Sequence, residues 1–127
     1  SDCPVYKLTV RRRFSAAHHL RDYEGKCANI HGHNYNLEIT VSGLELDEIG
    51  MLMDFGELKS ICDSVIERYD HSCLNELDEF REKNVTSENL AAEIFSRVRA
   101  GLDSERVRVS QVKLWETPDS AVTYTEE

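Results

Sequence analysis

Three histidines in this chain have a spacing that suits a metal ion. His31 and His33 flank Gly32 at the start of a segment that alternates like a strand. Residues i and i+2 of a strand point to one face, about 6.6–6.8 Å apart at their Cα atoms. Imidazoles so placed can converge on one ion at Zn–N distances of about 2.0–2.1 Å. His18 closes an earlier alternating segment, so antiparallel pairing of the two segments would bring it beside His31 and His33. An isolated His-x-His is ordinarily two partly buried polar rings; the third imidazole tilts the reading to metal. Three neutral nitrogens with one open position form the catalytic kind of zinc site, although an all-imidazole set also suits other divalent ions. His19 has the opposite parity and is expected in solvent.

Other residues carry chemistry only in company. Cys27 lies four residues before His31 and follows Lys26; a neighbouring cation and a nearby metal both favour the thiolate. Asp70–His71 follows a predicted helix. A carboxylate beside an imidazole can orient it for acid–base work, and the same histidine can simply complement a helix C-terminus. Glu116 stands between Trp115 and Thr117 near a strand end, where a lone carboxylate is ordinarily solvated.

The elements that must position these groups are legible from periodicity. Over residues 6–18, Tyr6, Leu8, Val10, Arg12, Phe14, Ala16 and His18 alternate with Lys7, Thr9, Arg11, Arg13 and Ser15, Ala17 being the exception, the period of a half-buried strand. A second strand starts at His31, with Tyr35, Leu37, Ile39 and Val41 inward and Asn34, Asn36, Glu38, Thr40 and Ser42 outward. Asp54 and Glu57 have the spacing of a capping box, opening a helix over residues 55–69 whose stripe is Phe55, Leu58, Cys62, Val65, Ile66 and Tyr69. Residues 70–84 read as a polar connection with at most one helical turn. A second helix begins at Thr86 or Ser87 and buries Leu90, Ala91, Ile94, Phe95, Val98 and Leu102, with Gly101 as its stop. Two strands come next, over 106–117 and 121–125, joined by the turn Pro118–Asp119–Ser120; the uneven alternation at 113–116 suits a bulge. The order ββααββ predicts an α+β fold: a four-stranded antiparallel sheet with both helices on one face. Its two open edges invite assembly into oligomers.

The chain has 127 residues, enough for one domain spanning 1–127. A formal charge of −9 argues against nucleic acid or an anionic membrane as a partner, while Arg11, Arg12 and Arg13 form a local basic cluster. No apolar run is long enough to span a bilayer. The four cysteines form no CxxC pair and no secretory leader is visible, so free thiols in the cytoplasm are expected; Cys62, on the helix stripe, reads as core.

Five short segments together resemble one family. Phe14–Ser15–Ala16–Ala17–His18, Cys27–Ala28–Asn29–Ile30–His31–Gly32–His33–Asn34, Asp70–His71, Thr86–Ser87–Glu88–Asn89–Leu90 and Trp115–Glu116–Thr117 occur in this order, as in 6-pyruvoyl-tetrahydropterin synthase-like enzymes. The C-x₃-H-G-H spacing is similar to the bacterial 6-carboxy-5,6,7,8-tetrahydropterin synthase subgroup of queuosine biosynthesis. The resemblance implies zinc on His18, His31 and His33, Cys27 as the proton-abstracting base, Asp70 and His71 as a proton relay, Glu116 as the anchor of the pterin ring, and Thr86 and Ser87 near the pterin. It implies 7,8-dihydroneopterin triphosphate as substrate, and acetaldehyde and triphosphate as leaving fragments. It also implies the tunnelling fold, a homohexamer of two stacked trimers with active sites between subunits. Two other readings stay open: a pyruvoyl synthase that only eliminates triphosphate, and a non-catalytic oligomeric binder of metal or pterin. A Cys–His–Asp acyl hydrolase would leave three histidines unexplained and has no evident oxyanion device.

Overall fold

A computed structural model describes residues 3–21, 29–102 and 104–126. The strands β1 (Tyr6–His18) and β2 (His31–Gly43) pair antiparallel along their whole length, with Tyr6 opposite Gly43 and His18 opposite His31. The alternation expected from sequence sets this register, because a slip of one residue would turn Val10, Phe14, Tyr35 and Leu37 out of the core. The helix α1 (Phe55–Tyr69) starts where the Asp54 carboxylate accepts the Gly56 N–H at 2.6 Å. It buries Leu58, Cys62, Val65, Ile66 and Tyr69.

A short strand β3 (Ser72–Cys73) follows α1. Beyond it lie α2 (Ser87–Gly101), capped by the Thr86 hydroxyl accepting the Asn89 N–H at 3.1 Å, and the strands β4 (Arg108–Thr117) and β5 (Ser120–Tyr124). Both helices cover the same sheet face. Tyr35, Leu37, Ile39, Val112 and Leu114 are fully buried beneath them, each side chain contributing about 1.5–3 kcal/mol by leaving water.

Two bulges shape β4. Thr40 faces Gln111 while Val41 faces Val109, so Ser110 is extra and both Val109 and Val112 point inward. Trp115 faces Ala121 while Thr117 faces Ser120, so Glu116 is extra. Bulges re-aim side chains, and the second one lies in the stretch where the alternation is uneven.

The expected four-stranded antiparallel sheet in the order ββααββ needs correcting. The sheet is five-stranded and mixed, ordered β3-β1-β2-β4-β5, because β3 runs parallel to β1 with Ser72 opposite Ala16 and Cys73 opposite Ala17. His71 adopts a left-handed backbone (φ 57°) that turns the chain out of α1, and its N–H donates to the Ser15 carbonyl at 2.6 Å. Two residues are too few to show a period. The connection over 70–84 is likewise more ordered than its polarity suggests: two 3₁₀ turns, Leu74–Glu76 and Asp78–Phe80, bury Leu74 and Phe80. Gly101 does not end α2 through a positive φ. It lies within the helix, where a Cβ would stand 2.9 Å from Ile61 Cγ2, so its role is the close approach of α2 to α1.

Candidate active site

The β1–β2 register delivers the three imidazoles. His18 faces His31, and Ala16, two residues back, faces His33, so all three rings rise on the helix-covered face. One nitrogen from each lies within 4.8 Å of the others, and His18 Nε2 is 3.0 Å from His31 Nε2. Two ligands of one tetrahedral zinc, at about 2.0–2.1 Å each, stand about 3.3–3.4 Å apart. The arrangement is close to that before any adjustment.

Three further observations fit these residues to a divalent ion. His33 Nε2 is buried with no hydrogen-bond partner, an arrangement that costs free energy unless something ligates it. Burial, reinforced by the neighbouring His31, pushes the pKa of His18 down; burial also lowers that of His33 against the opposing pull of Glu116. Both rings are therefore neutral, and able to ligate, at pH 7. The ring orientations are fixed from behind. His31 Nδ1 donates to the Asn29 carbonyl at 2.7 Å, and His18 Nδ1 lies 3.3 Å from the Tyr35 hydroxyl. With the proton of His31 on Nδ1, its Nε2 lone pair points inward, the second-sphere pattern of metal-binding histidines.

Glu116, lifted by its bulge, places Oε1 3.5 Å from both His18 Nε2 and His33 Nε2. These four residues share a cavity of about 360 Å³ with Thr86, Ser87 and residues of β5. The Thr86 hydroxyl is already engaged as the cap of α2, whereas Ser87 Oγ is buried without a partner. Ser87 is thus the hydroxyl available to a ligand in the cavity.

Asp70 and His71 are not brought to this cavity by their own chain. Asp70 Oδ1 accepts the Ser15 N–H at 2.9 Å and lies 3.0 Å from His71 Nδ1. The Ser15 N–H, more than His71, keeps the Asp70 carboxyl below its ordinary range. The pair is therefore a charged carboxylate holding an oriented imidazole. His71, its side chain 83 % exposed, lines a second groove with Ala17, Gly32, His33 and Asn34, and His33 borders both. Cys27, with Lys26, lies outside the described residues. His19 contributes its backbone to the structure, pairing with the Asn75 amide. Sequence reasoning did not single out Tyr35 or Asn29 as supports. Tyr35 alone had a signal, as the next inward residue after His33.

Such a fold and such a site define an α+β domain with a three-imidazole cavity in which His18 is buried and His31 and His33 are half-buried. Residues 7–127 match the family 6-pyruvoyl tetrahydropterin synthase. The chain is 36 % identical over 126 residues to the 6-carboxy-5,6,7,8-tetrahydropterin synthase of Bacillus subtilis, covering 94 % of this chain and 84 % of the relative. It is 37 % identical over 138 residues to the 6-pyruvoyl tetrahydrobiopterin synthase of Drosophila melanogaster, covering 98 % and 82 %. The solved structure of 6-pyruvoyl tetrahydropterin synthase from Caenorhabditis elegans superposes with a TM-score of 0.87 at 29 % identity, covering 98 % of this chain and 97 % of that one. The chain belongs to the 6-pyruvoyl tetrahydropterin synthase family.

Proposed function

We propose that the chain is a zinc-dependent 6-carboxy-5,6,7,8-tetrahydropterin synthase, converting 7,8-dihydroneopterin triphosphate with release of acetaldehyde and triphosphate, as a step toward queuosine in the cytoplasm. The observation that carries this reading is the convergence of His18, His31 and His33 beside Glu116, four residues after Cys27 in the C-x₃-H-G-H spacing. The three imidazoles would hold a zinc ion, whose Lewis acidity would act on the side-chain hydroxyls of the substrate. The Cys27 thiolate takes the proton from the adjacent carbon. Glu116 accepts the paired N–H donors of the pterin edge with its carboxylate, and Ser87 and Thr86 border the ring. His71 returns protons through Nε2 while Asp70 holds Nδ1.

In this reading that last role falls to the Asp70–His71 pair of a second chain, since His71 does not line the cavity of its own protomer. The sheet edges support assembly. The outer edge of β1 has a strand partner only at Ala16 and Ala17 among the described residues, and β5 has one only on its β4 side. We expect a homohexamer of two trimers with active sites between subunits. Sedimentation velocity at micromolar concentration should show a trimer-based species; a monomer would overturn both the assembly and the shared site.

The Drosophila relative, named as a pyruvoyl synthase, supports a second reading in which triphosphate is eliminated and the side chain kept. Mass spectrometry of the product formed from 7,8-dihydroneopterin triphosphate separates the two. The 6-carboxy product with acetaldehyde is expected. An intact 6-pyruvoyl side chain would establish the second reading, and an unchanged substrate would leave a binder of pterin or metal.

A further inference from the structure

Beyond His18 the chain leaves β1, yet its backbone stays paired, and the partners are side chains. The Asn75 amide accepts the His19 N–H at 2.9 Å and donates to the His19 carbonyl at 3.0 Å. The Asn84 amide does the same for Arg21, accepting its N–H at 2.8 Å and donating to its carbonyl at 2.8 Å. Each amide makes the pair of bonds that a neighbouring strand would make. With β3 pairing at Ala16 and Ala17, one edge of the chain is covered first by backbone and then by two asparagines. Arg21 reciprocates, its guanidinium donating to the carbonyls of Phe80, Arg81 and Lys83 at 2.7, 3.1 and 2.7 Å.

Asn84 differs from Asn75 in leading directly into the wall of the metal cavity. Its own carbonyl accepts from the Asn89 side chain at 2.9 Å, in the first turn of α2. The next residue, Val85, is fully buried. Thr86 then caps α2 and Ser87 enters the cavity wall. Residues 84–87 thus link the chain just beyond His18, the helix start and the wall of the cavity that His18 lines.

We propose that Asn84 is a positioning residue of the metal centre, registering segment 84–87 against the strand end that carries His18. The inference rests on the reading of His18, His31 and His33 as metal ligands. Groups that orient a ligating histidine typically contribute 10–100-fold in metal affinity. The test is zinc affinity, measured by competition with a chromogenic chelator on wild type, Asn84→Ala, Asn84→Asp and Cys62→Ala. The last is a core change remote from the centre that serves as a control for lost stability.

Asn84→Ala should raise the zinc Kd about 10–100-fold at a temperature where far-UV circular dichroism shows it folded. Asn84→Asp keeps the acceptor for the Arg21 N–H and should raise it less; should the alanine variant not fold, this variant carries the test. Cys62→Ala should leave the Kd within about twofold of wild type, as expected of a distant site. An Asn84 variant with wild-type Kd, or a control that weakens zinc as much, overturns the proposal. A wild type that binds no zinc overturns instead the metal reading on which it rests.

Discussion

Cys27→Ala is expected to lower turnover by about 10²–10⁴-fold, the range that a positioned acid–base group contributes, with bound zinc and oligomeric state unchanged. The thiol is assigned as base and not as ligand, because three imidazoles already converge without it. Lys26, beside it in sequence, and a metal held by the nearby His31 and His33 would supply the cationic surroundings that favour thiolate. Cys62 is the contrasting thiol. Fully buried on α1, its pKa is pushed up to about 12 by burial, with Arg12 opposing only weakly, so it stays protonated and inert. Cys62→Ala removes one buried heavy atom and should cost about 1 kcal/mol of stability with turnover per folded site intact. Undiminished turnover in Cys27→Ala would take the thiol out of the mechanism and leave His71 as the base. X-ray absorption on the resting protein adds a further check, since a Zn–S distance near 2.3 Å would make Cys27 a fourth ligand displaced by substrate.

His31→Ala should lose most of the zinc, and with it turnover. His31 is the ring whose ligating nitrogen is set most firmly, by Nδ1 donating to the Asn29 carbonyl, and its Nε2 closes the triangle with His18 at 3.0 Å. Removing it leaves two imidazoles, one short of the three protein ligands of a catalytic zinc site. His19→Ala is the matched comparison. Its backbone bonds to Asn75 survive the change, and elemental analysis should return about one zinc per chain. Stoichiometric zinc in His31→Ala, purified without added metal, would sink the ligand assignment.

Much of this site can be read from strand parity. Alternation over β1 and β2 placed His18 with Phe14 and Ala16, and His31 with His33 and Tyr35, so antiparallel pairing alone brought three rings together. The side-chain cap Asp54 is readable because it precedes a strongly periodic helix, whereas for α2 the sequence leaves Thr86 or Ser87 and the structure chooses Thr86. What escaped has no period. Ser72–Cys73 adds a parallel strand through two residues, driven by the left-handed turn at His71 and the exposed edge of β1. Asn75 and Asn84 look like ordinary polar linker residues until the backbone they pair with, 56 and 63 residues away, is in place. Glu116 reaches the imidazoles because a bulge lifts it, and local sequence showed only an uneven alternation there. His71 lines a groove other than the histidine cavity, and only the family resemblance links Asp70–His71 to that cavity.

The central claim is that the three-histidine cavity is the metal centre on which pterin chemistry depends. The most direct measurement strips the protein of metal with a chelator and returns zinc in steps, following turnover of 7,8-dihydroneopterin triphosphate at each addition. Turnover should be absent in the stripped protein, rise linearly, and break at about one zinc per chain, the stoichiometry of a single three-imidazole site. Full turnover in metal-free protein, or a titration that restores zinc to the site without restoring turnover, would contradict it.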